Sequence, residues 1–250
     1  MKRAALAIFL SLFAAANPFA EEIDGAAFFK TARESMKFSR DGAQINIKRA
    51  SVVPAKGLCV SVPDGEMLSI AFSNKTSMLA VGPAEFKIEA FIQGSAENSP
   101  DDNLDRESAP SNISLSLKNG RFLFSLAQRL GGSKFTVKFP NAESEIQSGI
   151  AIAETNGSRL IPLDGFARIK PQDSIWEIVK DGVSAVVPAK ESDKKIIFKH
   201  VYSRERERFG NFIKTAEQLR RSVIFKYSPN AGFAAELILP KAFFAMPIKH

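Results

Sequence analysis

Residues 113–139 read ISLSLKNGRFLFSLAQRLGGSKFTVKF. Apolar and polar side chains alternate over ISLSL, meet Asn119-Gly120, resume over RFLFSL, break at Gly131-Gly132 and alternate again over KFTVKF. A period of two marks β-strands with one buried face, so Leu115, Leu117, Phe122, Phe124, Phe135, Val137 and Phe139 need a core. Asn-Gly suits the positive φ angles of a tight hairpin, because Gly has no Cβ to clash. The stretch therefore predicts a hairpin at 119–120 followed by a third strand. The residues left facing outward are Ser, Lys and Arg, with no acid–base pair among them.

The same punctuation extends in both directions. Upstream, QINIKRASVV and AKGLCVSV precede Pro63-Asp64-Gly65. EMLSIAFS leads to Asn74-Lys75-Thr76, SMLAV ends at Gly82-Pro83, and EFKIEAFI alternates. Downstream come ESEIQSGIAIAET, then SRLIPL between Asn156-Gly157 and Asp164-Gly165, then FARIK, SIWEIV, Asp181-Gly182 and VSAVV. Short alternating runs between turn signals predict an all-β unit over 43–190, packed as a sandwich, roll or barrel. Cys59 and Trp176 fall inside these runs and are read as core residues. Residues 94–112, GSAENSPDDNLDRESAPSN, hold almost nothing apolar and predict a flexible loop.

Two segments break the β pattern. In the N-terminal segment 21–42, Ala27, Phe28, Ala32 and Met36 fall at roughly helical spacing and predict a short helix. Over 202–222, Phe209, Phe212, Ile213, Ala216 and Leu219 fall on one face of an amphipathic helix, with Ser203 as its N-cap. VIFKYS and AGFAAELILP read as two final strands.

Charge is concentrated rather than spread. Residues 21–193 carry 20 basic and 23 acidic side chains, whereas 194–226 carry ten basic and three acidic, a net of +7. The basic C-terminal region, 191–250, combines a helix and strands, and its cations include Arg204, Arg206, Arg208, Lys214, Arg220, Arg221 and Lys226. Interleaved with Glu205 and Glu207, they read either as a solvated helix face or as a docking surface for an anionic partner.

The leader MKRAALAIFLSLFAAANPFA has a positive start, an apolar run from Ala4 to Ala16 and small residues at a cleavage site, either Ala14-x-Ala16 or Ala20. It reads as a secretory signal peptide over 1–20, since a membrane span takes about 20 apolar residues. Export places the mature chain in the periplasm or outside the cell. A single cysteine allows no internal disulfide, so stability rests on the hydrophobic core.

Catalytic signals are missing. Two histidines, His200 and His250, and one cysteine leave no His/Cys ligand cluster, and no HExxH, G-x-S-x-G, Walker or G-x-G-x-x-G pattern occurs. The chain reads as non-enzymatic, without a cofactor or metal. Nucleic acid is a poor partner for it, because it lacks aromatic-interleaved basic motifs. Glu143 and Glu145 alternate on one strand and so share a face, which keeps open an envelope polysaccharide hydrolase as a rival class. A structural subunit that polymerises through strand edges is a third class.

LSLKNGRFLFSL followed by GGSKFTVKFPNAESEIQSGIAIAE resembles the FecR-like domain of bacterial envelope proteins. Leu117, Gly120 and Phe124 fill the family's L-x-x-G-x-x-x-F pattern. Phe135, Val137, Pro140 and Ala142 fill its next strand, and Leu163, Gly165, Ala167 and Ile169 fill a later one. At Gly149 the family's Gly-Thr pair becomes Gly-Ile. The resemblance covers about residues 50–170. It implies a β-rich, two-layered or solenoid-like envelope domain given to interaction rather than catalysis. Family members that regulate sigma factors carry a cytoplasmic segment and a membrane helix before this domain. A signal peptide stands there in this chain, so the resemblance extends to fold and binding character and not to that circuit. The expected partner is an envelope protein or an anionic envelope polymer or lipid surface.

Overall fold

The computed structural model describes residues 21–95, 103–188 and 195–238. The leader over 1–20 lies outside the described residues. The strands are β1 (Glu22–Asp24), β2 (Ala26–Phe29), β3 (Lys37–Arg40), β4 (Ala43–Ile45), β5 (Ser51–Pro54), β6 (Leu58–Val62), β7 (Met67–Phe72) and β8 (Thr76–Gly94). They continue as β9 (Ser111–Leu126), β10 (Lys134–Lys138), β11 (Ala142–Ile146), β12 (Gly149–Glu154), β13 (Arg159–Asp164), β14 (Phe166–Pro171), β15 (Glu177–Lys180), β16 (Val183–Val186) and β17 (Ile197–His200). Helices α1 (Ser203–Arg208) and α2 (Gly210–Ser222) and the hairpin β18 (Val223–Ser228) and β19 (Gly232–Leu237) complete the chain.

The chain is mostly β, as its alternation predicts. The seventeen strands β1–β17 form one hydrogen-bonded sheet folded into two layers. Layer I runs β5–β2–β7–β8–β9–β12–β13–β16–β17 and uses residues 76–81 of β8 and 121–126 of β9. Layer II runs β4–β3–β6–β8–β9–β10–β11–β14–β15 and uses the other halves of the same two strands. Every pairing is antiparallel except β9 with β10.

Both layers contribute to one core. Phe29, Ile70, Phe72, Phe122 and Phe124 from layer I meet Phe86, Ile88, Phe91, Leu115 and Phe135 from layer II. Edge-on ring pairs, Phe86 with Phe122 and Phe124 with Phe135, cross between the halves at centroid distances of 5.7 and 5.2 Å.

Asn119-Gly120 is not a hairpin turn. It lies inside β9, at the point where β8 and β9 bend together from one layer to the other. Pairing jumps from Val81↔Arg121 to Glu85↔Asn119, skipping residues 82–84 of β8. Gly120 has φ +112°, and a Cβ on it would sit 2.5 Å from that of Ala84. The corner thus needs glycine for both reasons the turn would have needed it. SMLAV and EFKIEAFI are likewise one bent strand rather than two. The second corner is built the same way: ESEIQSGIAIAET splits into β11 and β12 at Gly149, beside the β13-to-β14 step at Gly165. A Cβ on either glycine would fall within 2.6 Å of a carbonyl oxygen of the other strand.

Burial differs on the two sides of the Gly120 corner. Before it, β9 alternates, with Ile113, Leu115 and Leu117 buried and Asn112 and Lys118 exposed. After it, Phe122 to Leu126 are all buried. Layer I is covered on its outer face by α2, and a strand buried on both sides loses its alternation.

Other expectations change as well. The helix predicted within 21–42 is absent, and β1, β2 and β3 occupy that stretch, with Ala26 to Phe29 wholly buried. Spacing there mimicked a helical stripe because β2 has both faces covered. Of the loop predicted over 94–112, residues 96–102 lie outside the described residues. The rest is anchored. Glu107 is buried and accepts hydrogen bonds from Ser111 Oγ (2.8 Å), Ser133 Oγ (2.6 Å) and the Leu130 amide (3.1 Å). Arg129 lies 3.6 Å from Glu107 and 5.8 Å over the Phe135 ring. Burial pushes the Arg129 guanidinium pKa down, against the opposing pull of Glu107 and Glu145. Cys59 is half-buried on the outer side of β6 and not in the core, since Leu58, Val60 and Val62 take the inner positions.

Candidate interaction surface

The basic C-terminal region is not one free surface. Its helix is a lid on layer I. Phe209, Ala216 and Leu219, with Phe212 and Ile213 at the margin, pack on Phe28, Ala71, Leu79, Leu123, Ile152 and Ile161. The Ala216 carbonyl accepts a hydrogen bond from Ser77 Oγ at 2.7 Å, and the Arg121 guanidinium lies 5.6 Å over the Phe209 ring. The predicted apolar face of the helix is therefore real. Its N-cap is Tyr202 and not Ser203, and the helix bends at Phe209, dividing α1 from α2.

This packing consumes several of the cations. Arg220 is 6% exposed and donates to Ser125 Oγ, to the Leu104 carbonyl and to Asp105 (2.7 Å). It clamps the 103–107 loop to α2 and does not face outward, which removes it from the predicted docking surface. Arg221 joins it at Asp105, at 3.0 Å. The hydrogen bond from Arg220 is the main reason the Asp105 carboxyl lies below its ordinary value near 3.8. Arg206 donates to the Leu163 carbonyl and faces Asp181 at 3.7 Å. Lys226 pairs across the β18–β19 hairpin with Glu236 at 2.5 Å. Of these seven predicted cations, Arg204, Arg208 and Lys214 remain exposed without an ionic partner among the described residues.

A strip that the charge pattern alone did not mark out leads into α1. β17 pairs with β16 and, among the described residues, with no strand on its other side. All four of its residues are exposed. The Val201 amide donates to the Gly182 carbonyl at 2.9 Å, so residues 201, 199 and 197 direct their backbone groups toward β16. By the two-residue period, Phe198 and His200 direct theirs to the open edge. Of the eight exposed large hydrophobic side chains among the described residues, six lie between 166 and 202: Phe166, Ile175, Ile178, Ile197, Phe198 and Tyr202. These residues sit on β14, β15 and β17 and the segments beside them, and β15 touches β16 where the two layers end. Single exposed hydrophobics are ordinary, but Ile197, Phe198 and Tyr202 lie within six residues of one another on and beside an edge strand, and they mark a candidate interaction surface. Lys195, Lys199, Arg204 and Arg208 flank it and are exposed. The signal available in the sequence was the run IIFKHV, too apolar for a solvated linker.

Trp176 belongs to this end too. It is half-buried rather than in the core, and the Arg168 and Lys170 cations each lie 4.7 Å from its ring centre. Glu143 and Glu145, the carboxylates of the hydrolase reading, share the outer face of layer II. Each is paired across strands, Glu143 with Lys170 at 3.2 Å and Glu145 with Arg168 at 2.5 Å. Cross-strand partners thus already occupy both carboxylates. No described helix is long and apolar enough to cross a membrane. No group of three or more His, Cys, Asp or Glu residues gathers as metal ligands among the described residues.

No family model and no curated protein matches the chain. Two crystal structures from Parabacteroides distasonis ATCC 8503, each described as a "putative anti-sigma factor", resemble part of it. One has a TM-score of 0.43 and 13% identity over 60% of this chain and 63% of that one. The other has a TM-score of 0.40 and 12% identity over 60% and 62%. The overlap thus spans less than two thirds of either of those chains.

Proposed function

We propose that this chain is an exported, non-enzymatic cell-envelope protein with a FecR-like β domain, and that it binds a partner by strand addition along β17. The observation that carries the proposal is the open β17 edge, where unpaired backbone groups at Phe198 and His200 stand beside exposed apolar side chains. An extended peptide adds to such an edge through main-chain hydrogen bonds, while side-chain contacts select the sequence. The flanking cations favour an acidic segment of an envelope protein. They also disfavour self-pairing of two β17 edges, which would bring Lys195 and Lys199 of two copies together.

The test uses a fluorescent peptide alternating glutamate and valine. Binding should weaken with salt and should vanish in Phe198→Pro. Proline on the open side of an edge strand leaves the β16 pairing intact, whereas Lys199→Pro removes an amide directed at β16 and should unfold the edge. Peptide binding unchanged by Phe198→Pro would overturn strand addition. Salt-sensitive retention on phosphatidylglycerol vesicles, lost in the Arg204→Gln/Arg208→Gln/Lys214→Gln triple variant but kept in Phe198→Pro, would assign a lipid surface instead. Light scattering that finds polymers, dispersed by Phe198→Pro, would assign a structural subunit. Cell fractionation that finds the protein in the cytoplasm would overturn its place in the envelope.

A further inference from the structure

The end of the sandwich opposite β17 carries a second feature. There β4 is the last strand of layer II and β5 the last of layer I. The segments 30–36 and 46–50 lie beside them and, together with the β3–β4 hairpin, enclose a cleft of about 810 Å³. Arg33, Lys48 and Arg49 stand around it, and its floor is the half-buried Ile45 over the core side chains Met36, Phe38 and Ile47, each 4–5% exposed. Glu34 is the single acidic residue among its lining. None of the three cations has an ionic partner among the described residues, and all three are exposed at the rim.

The rim is held in shape by the fold. The Ala50 amide donates to the Phe29 carbonyl at 2.7 Å, and Ser51 Oγ donates to the Lys48 carbonyl at 2.6 Å, one on either side of Arg49. Ala50 has φ +58°, a left-handed conformation uncommon for a residue with a Cβ, which the surrounding contacts maintain. On the other wall, the Lys30 amide donates to the Ser69 carbonyl at 3.0 Å and the Ser69 amide to Thr31 Oγ1 at 2.8 Å, which ties the 30–36 segment to β7. Three like charges carried by an ordered backbone around one opening repel one another, and an anion seated between them relieves that repulsion. A rim ordered in advance spares the ligand the cost of ordering it.

We infer that this cleft is a binding site for an anionic amphiphile, with the acidic group between Arg33, Lys48 and Arg49 and the apolar body toward Met36, Ile45 and Ile47. Its volume suits a small organic ligand, about 300–1,000 Å³ being usual, and exceeds what an inorganic anion fills. The site is separate from the β17 edge and does not depend on the strand-addition proposal.

The experiment compares three probes on the purified protein: octyl sulfate, octyl glucoside and inorganic sulfate, each followed by amide chemical shifts and calorimetry. Octyl sulfate should bind about tenfold more tightly than either of the others, since each of them lacks one half of the contact. Its shifts should fall within residues 30–50. Arg33→Gln/Lys48→Gln/Arg49→Gln should reduce its affinity to that of octyl glucoside without changing the melting temperature. Ile45→Ala should weaken octyl sulfate and leave inorganic sulfate unaffected. Equal binding of octyl sulfate and octyl glucoside would overturn the anion site, and equal binding of octyl sulfate and sulfate would overturn its apolar half. Shifts centred elsewhere in the chain would overturn the location.

Discussion

The two outer faces of the sandwich are built from the same kind of strand and end up with opposite chemistry. Layer I turns Leu79, Leu123, Ile152 and Ile161 outward and hides them under α2. Layer II turns Lys138, Glu143, Lys170 and Arg168 outward into at least partial contact with water and pairs them across strands, with Glu145 buried beneath Arg168. What separates the faces is the helix. A face with a lid becomes a second core, and a face without one must be charged. The lid is in turn the reason that part of the most basic segment of the chain is spent on internal contacts.

Mutations on the two faces should differ most. Leu219→Ala removes a fully buried side chain beneath the lid and should cost about 2–5 kcal/mol, whereas Lys138→Ala on the open face should cost about 1 kcal/mol or less. Urea denaturation of the two variants measures this directly. Equal costs would mean that the lid adds little to the stability of layer I.

Next in size is the corner through which β9 passes from the open face to the covered one. Gly120→Ala places a Cβ where Ala84 already stands, at a positive φ, and should cost about 1–3 kcal/mol. Gly131→Ala, in a turn with open space around it, should be neutral or stabilise by about 0.4–1 kcal/mol. If Gly120→Ala proved as mild as Gly131→Ala, the shared bend would not be a steric requirement.

Arg220 on α2 and Arg208 on α1 extend the contrast to buried and exposed cations. Arg220→Leu leaves the Leu104 carbonyl and Ser125 without their donor and should cost about 1–3 kcal/mol, while Arg208→Gln should stay within about 0.5 kcal/mol. Thermal melts of both variants test this.

The smallest effect is in acid. Because the folded-state pKa of Asp105 is lowered, its contribution to stability is present above the ordinary value near 3.8 and is lost as pH falls through the lower folded value. Asp105→Asn should therefore flatten the acid limb of stability and leave the neutral limb parallel to that of the parent. An unchanged acid limb would remove Asp105 from the clamp.

Much of the β architecture was legible in residue order. KFTVKF and LCVSV alternate because they lie in layer II, with one face in water. GIAIAE and RLIPLD show four consecutive buried residues because both faces of layer I are covered, and this loss of alternation was the available hint that something packs outside. The helical face of 209–219 was also legible, since its apolar stripe is what the lid buries. Which of the segment's cations face inward was not, because Arg220 and Arg208 are chemically alike and tertiary partners, Ser125 on β9 and the loop at 103–107, distinguish them.

Asn119-Gly120 marks the boundary between the two kinds of information. Residue order alone dictates that the chain needs a residue without a Cβ there, that β-strands flank it, and that Phe122, Phe124 and Phe135 belong to a core. The choice between a hairpin and a bend comes from long-range packing, since both need a backbone that glycine supplies at no steric cost. The choice depends on β8, some 35 residues upstream, which bends at the same place and keeps β9 paired along both of its halves. A long-range partner of this kind leaves no local trace, and the same holds for β17, whose edge is open because no strand lies beside it among the described residues.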